Sequence, residues 1–348
     1  LNQIFTNSFL SNILKVASAS IIAQLIGFFL LPIISRWYLP EHFGEFAMFI
    51  SIFSFISPFI ALKYNSVIVI QKIKSEKQAL YVISLASTTF LSIIFLIFLY
   101  FILDYLIFFN ITFNKNLLFL IPLLFFIVGF NQSTNFLFVS NNKFGIVSKI
   151  IIIEKISSLT ARLSLGYFIP SGFTLIISEY INKTIVFIYS LIMIFKHKLY
   201  DFSIKGKRKF YYQLIKKYKK FPIYELPSDW LATISDSLPV LLIAYYFDST
   251  QLGYYAFSIV VVRSLINLLS KSIGVVFFKK ISDISQQDRS DFSKKCIDFL
   301  CSISILPFLL LAVGGEEFFS VLFGSDWVQS GIYTQILIPY LFMLLLVK

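Results

Sequence analysis

Apolar runs of about twenty residues, parted by short polar stretches, recur from residue 13 to residue 347. Inside hydrocarbon each backbone N–H and C=O must find a partner within the protein, so a membrane-crossing chain forms helices or a closed barrel. Barrel strands are alternating segments of about ten residues, half the length of these runs. The expectation is an all-α integral membrane protein. Composition agrees: 57% of residues are hydrophobic and 14% are charged, against roughly 25% charged in a soluble domain. Ten spans are predicted, at about residues 13–34, 46–62, 80–103, 117–139, 150–169, 173–195, 222–247, 254–278, 296–313 and 332–347. The first is too long for the core of a cleavable signal. The stretch 314–327 reads as an acidic outer loop.

Loop Lys and Arg fall almost wholly in alternate loops. Those after the even-numbered spans hold 21, and those after the odd-numbered spans hold 2, Arg36 and Lys115. The positive-inside rule then puts the N-terminus and the even loops in the cytoplasm. The net charge of +12 follows from this bias, so nucleic acid is not an expected partner. The stretch 196–220 holds ten of the thirty cations. It divides the chain into an N-terminal six-helix bundle (1–200), a basic cytoplasmic linker (201–220) and a C-terminal bundle (221–348). Two His and two Cys give no metal-ligand spacing and no disulfide framework. No phosphate-binding loop, zinc-protease or serine-hydrolase motif is present. Neither an enzyme nor a cofactor is expected.

An internal repeat supports two bundles. WYLPEHFGEFAMF (37–49) after the first span matches YFDSTQLGYYAFS (246–258) after the seventh. At an offset of 209, Tyr38 meets Phe247, Gly44 meets Gly253, Phe46 meets Tyr255 and Ala47 meets Ala256. Six spans per copy is an even number, so both copies point the same way. The expected architecture is two parallel repeats of six helices around a central cavity, with about ten helices present and the second repeat incomplete.

A charge at the bilayer centre costs about 2.5–3.5 kcal/mol even on the mildest scale, so embedded charges call for a reason. The eighth span places Arg263, Asn267, Ser270, Lys271 and Gly274 on one helix face. The fifth carries Lys155, Ser158 and Arg162 on a face, with Glu154 beside it. These residues read either as a cationic wall or as structural ion pairs. Asp229, Thr233 and Asp236 share a face of the seventh span. The two carboxylates either pair with Arg263 and Lys271 or carry a coupling proton, for which burial would raise their pKa. Glu179 and Lys183 have the spacing and order of a helical ion pair. The polar string Asn131–Asn135 either binds sugars or joins helices.

LLPIISRWYLPEHFGEFAMF at the first span exit, SNNKFG before the fifth span, the basic mid-chain stretch and GSDWVQSGIYTQILIP before the last span carry a resemblance. The chain resembles the polysaccharide-biosynthesis flippases that move O-antigen or capsule repeat units, within the multidrug/oligosaccharidyl-lipid/polysaccharide exporter superfamily. That resemblance implies more spans than ten and a place in the bacterial cytoplasmic (inner) membrane. It also implies a substrate, an undecaprenyl-diphosphate-linked oligosaccharide, with membrane lipid and the polymerase and chain-length proteins of the same pathway as partners. Arg263, Lys271, Arg162, Lys155 and Asn267 are the expected substrate-binding residues, and Asp229, Asp236 and Glu154 the expected coupling or ion-pairing ones. Three rivals are a multidrug exporter of the same superfamily, a glycan polymerase or ligase, and a non-transporting structural membrane protein, against which the deep one-face charges of the seventh and eighth spans speak. The first span has no carboxylate between Ile13 and Ser35 of the kind many such exporters have, and the outer loops are short for a polymerase.

Overall fold

The computed structural model describes residues 7–106, 115–199, 208–281 and 289–347, and among these every regular element is helical. In chain order the elements are α1 (Asn7–Trp37), α2 (Pro40–Ile56), a 3₁₀ turn (Ser57–Lys63), α3 (Tyr64–Ile70), α4 (Lys74–Leu106), α5 (Lys115–Leu118), α6 (Ile121–Ser140), α7 (Phe144–Phe168), α8 (Gly172–Lys196), α9 (Arg208–Lys217), a π turn (Phe221–Glu225), α10 (Leu226–Tyr246), α11 (Ser249–Ile281), α12 (Arg289–Phe323), a 3₁₀ turn (Ser325–Trp327) and α13 (Val328–Val347). Eight helical segments among the described residues are long and apolar enough to cross a membrane. The predicted fifth and seventh spans are present as α7 and α10 but are not among the eight. Lys149, Glu154, Lys155 and Arg162 on α7, and Asp229 and Asp236 on α10, make them more polar.

Two expectations are corrected. The second span runs from Pro40 to Ile70 rather than ending near Leu62. It is broken where Ala61, Leu62 and Lys63 all take positive φ, so two helices meet inside one crossing. The stretch expected as an outer loop after residue 313 is mostly helix: α12 kinks at Gly314 and continues to Phe323. Phe318, Phe319 and Phe323 pack against one another there, so apolar packing holds helical what its glycines and carboxylates suggested was loop.

Packing gathers the chain into two compact units, each drawn from separated stretches. One comprises residues 1–44, 151–175 and 249–348, the other 45–150 and 176–248. Both are therefore interleaved in sequence, whereas the repeat is a division by sequence order.

In the first unit Phe257 lies against Trp327, ring centroids 4.0 Å apart, with Phe43 and Phe323 edge-on to Phe257. The Trp327 indole N–H donates to the Ser35 carbonyl at 2.9 Å, and the Ser35 hydroxyl donates to the Phe323 carbonyl at 3.1 Å. The chain turns between α12 and α13 at Gly324, whose φ of +111° suits only glycine. Small residues let helices touch backbone to backbone. Gly315 and Gly331 do so where α12 and α13 cross. The starts of α2 and α11 also touch: Gly44 faces the Ser249 carbonyl and Gly253 faces the Pro40 carbonyl. Ser249 is the 209-residue counterpart of Pro40, so the contact is reciprocal between the two copies of the sequence repeat.

In the second unit Phe49, Ile121, Leu124, Ile176 and Tyr180 form a core joining α2, α6 and α8. Gly129 of α6 receives the Thr88 side chain of α4, and Tyr81 and Thr134 share a hydrogen bond of 3.1 Å. Phe90, Phe98 and Phe101 stand exposed along α4, as lipid-facing side chains do.

Candidate functional site

The cations singled out on the fifth and eighth spans fall in the first unit, and α1 is the element they share. Lys155 of α7 lays its side chain over Gly27, in the space that a Cβ at position 27 would take. Three residues earlier on α1, the Gln24 side-chain amide donates to the Ser264 carbonyl of α11 at 3.3 Å. Ser264 is the neighbour of Arg263. Gln24 and Gly27 are about one helical turn apart, so α7 and α11 bring Lys155 and the Arg263 segment to the same level of α1.

Arg162 lies two turns along α7 from Lys155. Its carbonyl accepts the Tyr38 hydroxyl at 2.9 Å, and the Tyr38 ring occupies the space beside Gly166 one turn further on. Thr174 reaches the same hydroxyl at 3.4 Å. Thus α7 is tied to α1 at two heights, by Lys155 near Gly27 and by Tyr38 near Arg162. Arg162, Arg263, Lys155 and Asn267 are all half-buried. Cations so placed in helices of membrane length need polar or aqueous surroundings. Glu154, also half-buried, accepts the Ser157 hydroxyl at its carbonyl, 3.3 Å away. The side chain of Lys271 lies outside the described residues.

Asp229 and Asp236 belong to the second unit. Asp229 is ion-paired with Lys63, at the break in the second span. The sequence leaves two readings for it, a pair with Arg263 or Lys271 and a coupling proton. Lys63 is displaced there by the left-handed turn of residues 61–63, a feature with no glycine to announce it. The Trp230 indole N–H donates to the Phe55 carbonyl at 3.1 Å and fixes the start of α10 against the same break. Asp236 is exposed. Glu179 and Lys183 form their expected helical pair at 3.4 Å. Asn131 of the polar string joins helices, donating to the Lys183 carbonyl at 3.0 Å.

Gln24, Gly27 and Tyr38 were not singled out from the sequence as site residues. The available signal was a Gln and a Gly three apart in the apolar stretch 21–34.

These features define a multi-pass helical membrane protein with a MATE-like fold. The crystal structure of a MATE point mutant superposes with a TM-score of 0.54, covering 95% of this chain and 79% of that chain at 11% sequence identity. The chain belongs to the polysaccharide biosynthesis protein family, whose sequence profile matches residues 33–331. A comparison with curated proteins finds no match.

Proposed function

We propose that this protein is a flippase, not an enzyme, that carries undecaprenyl-diphosphate-linked oligosaccharide repeat units across the bacterial cytoplasmic membrane for O-antigen, capsule or exopolysaccharide synthesis. The observation that carries the reading is the meeting of Lys155 and the Arg263 segment at one level of α1, with Arg162 two turns along α7. A diphosphate leaving water needs fixed positive partners, and an Arg can meet phosphate oxygens through a bidentate fork. Lys155, Arg162 and Arg263 supply those charges and Asn267 adds an amide one turn from Arg263; Lys271, two turns from Arg263 in the helical register of the sequence, is proposed with them. Glu154, on α7 beside Lys155, balances or couples to these charges; Asp236 is proposed as a coupling or ion-pairing residue, and Asp229 acts through its pair with Lys63. Membership of a polysaccharide biosynthesis family supports a glycan cargo over a drug. The polymerase and chain-length proteins of the pathway are the proposed partners.

In this reading the N-terminus and the basic linker (201–220) are cytoplasmic, between an N-terminal bundle (1–200) and a C-terminal one (221–348). The test is surface glycan in cells carrying the pathway, at matched expression. Arg263→Ala is expected to abolish it, and Arg263→Lys to keep part of it, since the charge survives and the fork does not. Wild-type glycan from Arg263→Ala refutes the role given to this residue. Accumulation of drug instead of glycan intermediates in the null strain refutes the cargo.

A further inference from the structure

We propose that α9, with the segment it docks on, is a binding surface for the anionic phospholipid headgroups of the leaflet it faces. This goes beyond the transport reading and does not depend on it.

The helix has two distinct faces. Leu214 is buried, and on that side α9 is tied to the start of α4. The Tyr218 hydroxyl donates to the Gln71 side chain at 3.0 Å, and the Lys217 ammonium donates to Glu76 at 3.2 Å. Contact with the Tyr218 hydroxyl and with Glu76 holds that ammonium above its ordinary pKa. At 100° per residue, Arg208, Lys209, Tyr212, Ile215 and Lys216 fall within an arc of about 120° facing away from Leu214. All five are exposed, Tyr212 at 65%. Among the described residues none of the three cations has an ion-pair partner.

The docking segment repeats the pattern. Ile70 and Ile73 are 65% and 57% exposed, and Lys72 and Lys74 beside them are exposed as well. Exposed Ile and Tyr interleaved with cations suit neither water nor hydrocarbon. Water leaves the apolar groups uncovered, and hydrocarbon leaves the ammonium groups unsolvated. The headgroup layer meets both needs, with rings and aliphatic chains at the acyl boundary and cations among phosphates. The uncompensated positive charge selects anionic lipid over zwitterionic lipid. A free anion would explain the lysines but not Tyr212, Ile215, Ile70 and Ile73.

The test uses the full chain in mild detergent with equal amounts of phosphatidylglycerol and phosphatidylcholine, the retained lipids being counted by native mass spectrometry. Each cation near an anionic leaflet contributes about a fivefold factor. The wild type is therefore expected to favour phosphatidylglycerol, and Arg208→Gln/Lys209→Gln/Lys216→Gln to lower that preference at least about fivefold. Arg208→Lys/Lys209→Arg/Lys216→Arg is expected to keep it. A smaller loss is expected of Lys294→Gln/Lys295→Gln, which neutralises two exposed lysines of α12. An unchanged preference in the triple Gln variant overturns the proposal. An equal loss in the α12 variant does so too, by making the effect one of net charge. Displacement of phosphatidylglycerol by inorganic diphosphate at fixed ionic strength overturns the lipid assignment in favour of a free-anion site.

Discussion

Replacing Gly253 by Ala puts a methyl group where α2 begins. A Cβ at this position falls on the Pro40 carbonyl, more than an ångström inside the 3.0 Å floor of real Cβ contacts. The obstacle is backbone rather than a side-chain tip, so the starts of α2 and α11 have to part by more than an ångström. Alanine improves intrinsic helix propensity by about 1 kcal/mol. Overpacking of this kind costs about 1–3 kcal/mol, toward the upper end where backbone must move. The expected net loss is about 1–2 kcal/mol, read as a fall of several degrees in the thermal unfolding midpoint of the purified chain. Gly145→Ala is the control: a Cβ there meets nothing within 4 Å, so the midpoint should hold or rise. Gly44→Ala meets the Ser249 carbonyl at the same crossing. One separation of the helices relieves both clashes, so the double variant should lose less than the sum of the singles. Equal midpoints for Gly253→Ala and Gly145→Ala, or strict additivity of the two clashing variants, would show that the crossing is not as tight as described.

Gly27→Ala sets a methyl against the far end of the flexible Lys155 side chain, so it should cost under about 1 kcal/mol of stability while lowering surface glycan as far as Lys155→Ala does; full activity would separate Lys155 from transport. Reporters fused after Lys207 and after Ser325 should read the cytoplasmic and the outer side, given the 21-to-2 loop bias in Lys and Arg; the same side for both would refute the span count.

Hydrophobic run length made the helical architecture legible, because hydrocarbon leaves the backbone few choices. The repeat was legible through Gly44 and Gly253, since so close an approach of two helices admits little but glycine. The break in the second span was not. Ala61, Leu62 and Lys63 are ordinary helix formers, and their left-handed conformation is imposed by packing: Ile60 and Ala61 are buried against Phe125. The pairing of Asp229 with Lys63 was hidden for the same reason. Periodicity grouped Arg263 with Asn267, and Lys155 with Arg162, since one helix face is a local property. That α7 and α11 meet α1 at Gln24 and Gly27 is tertiary, and no spacing within a single span encodes it.

Gly44 packs on the counterpart of Pro40, and Gly253 packs on Pro40 itself. That is the pattern of an isologous dimer, in which residue i of one subunit meets j of the other while j meets i. The crossing of α2 and α11 has that reciprocity within one polypeptide. The two glycines guard one contact, so a side chain placed at either one pries apart the same pair of helices.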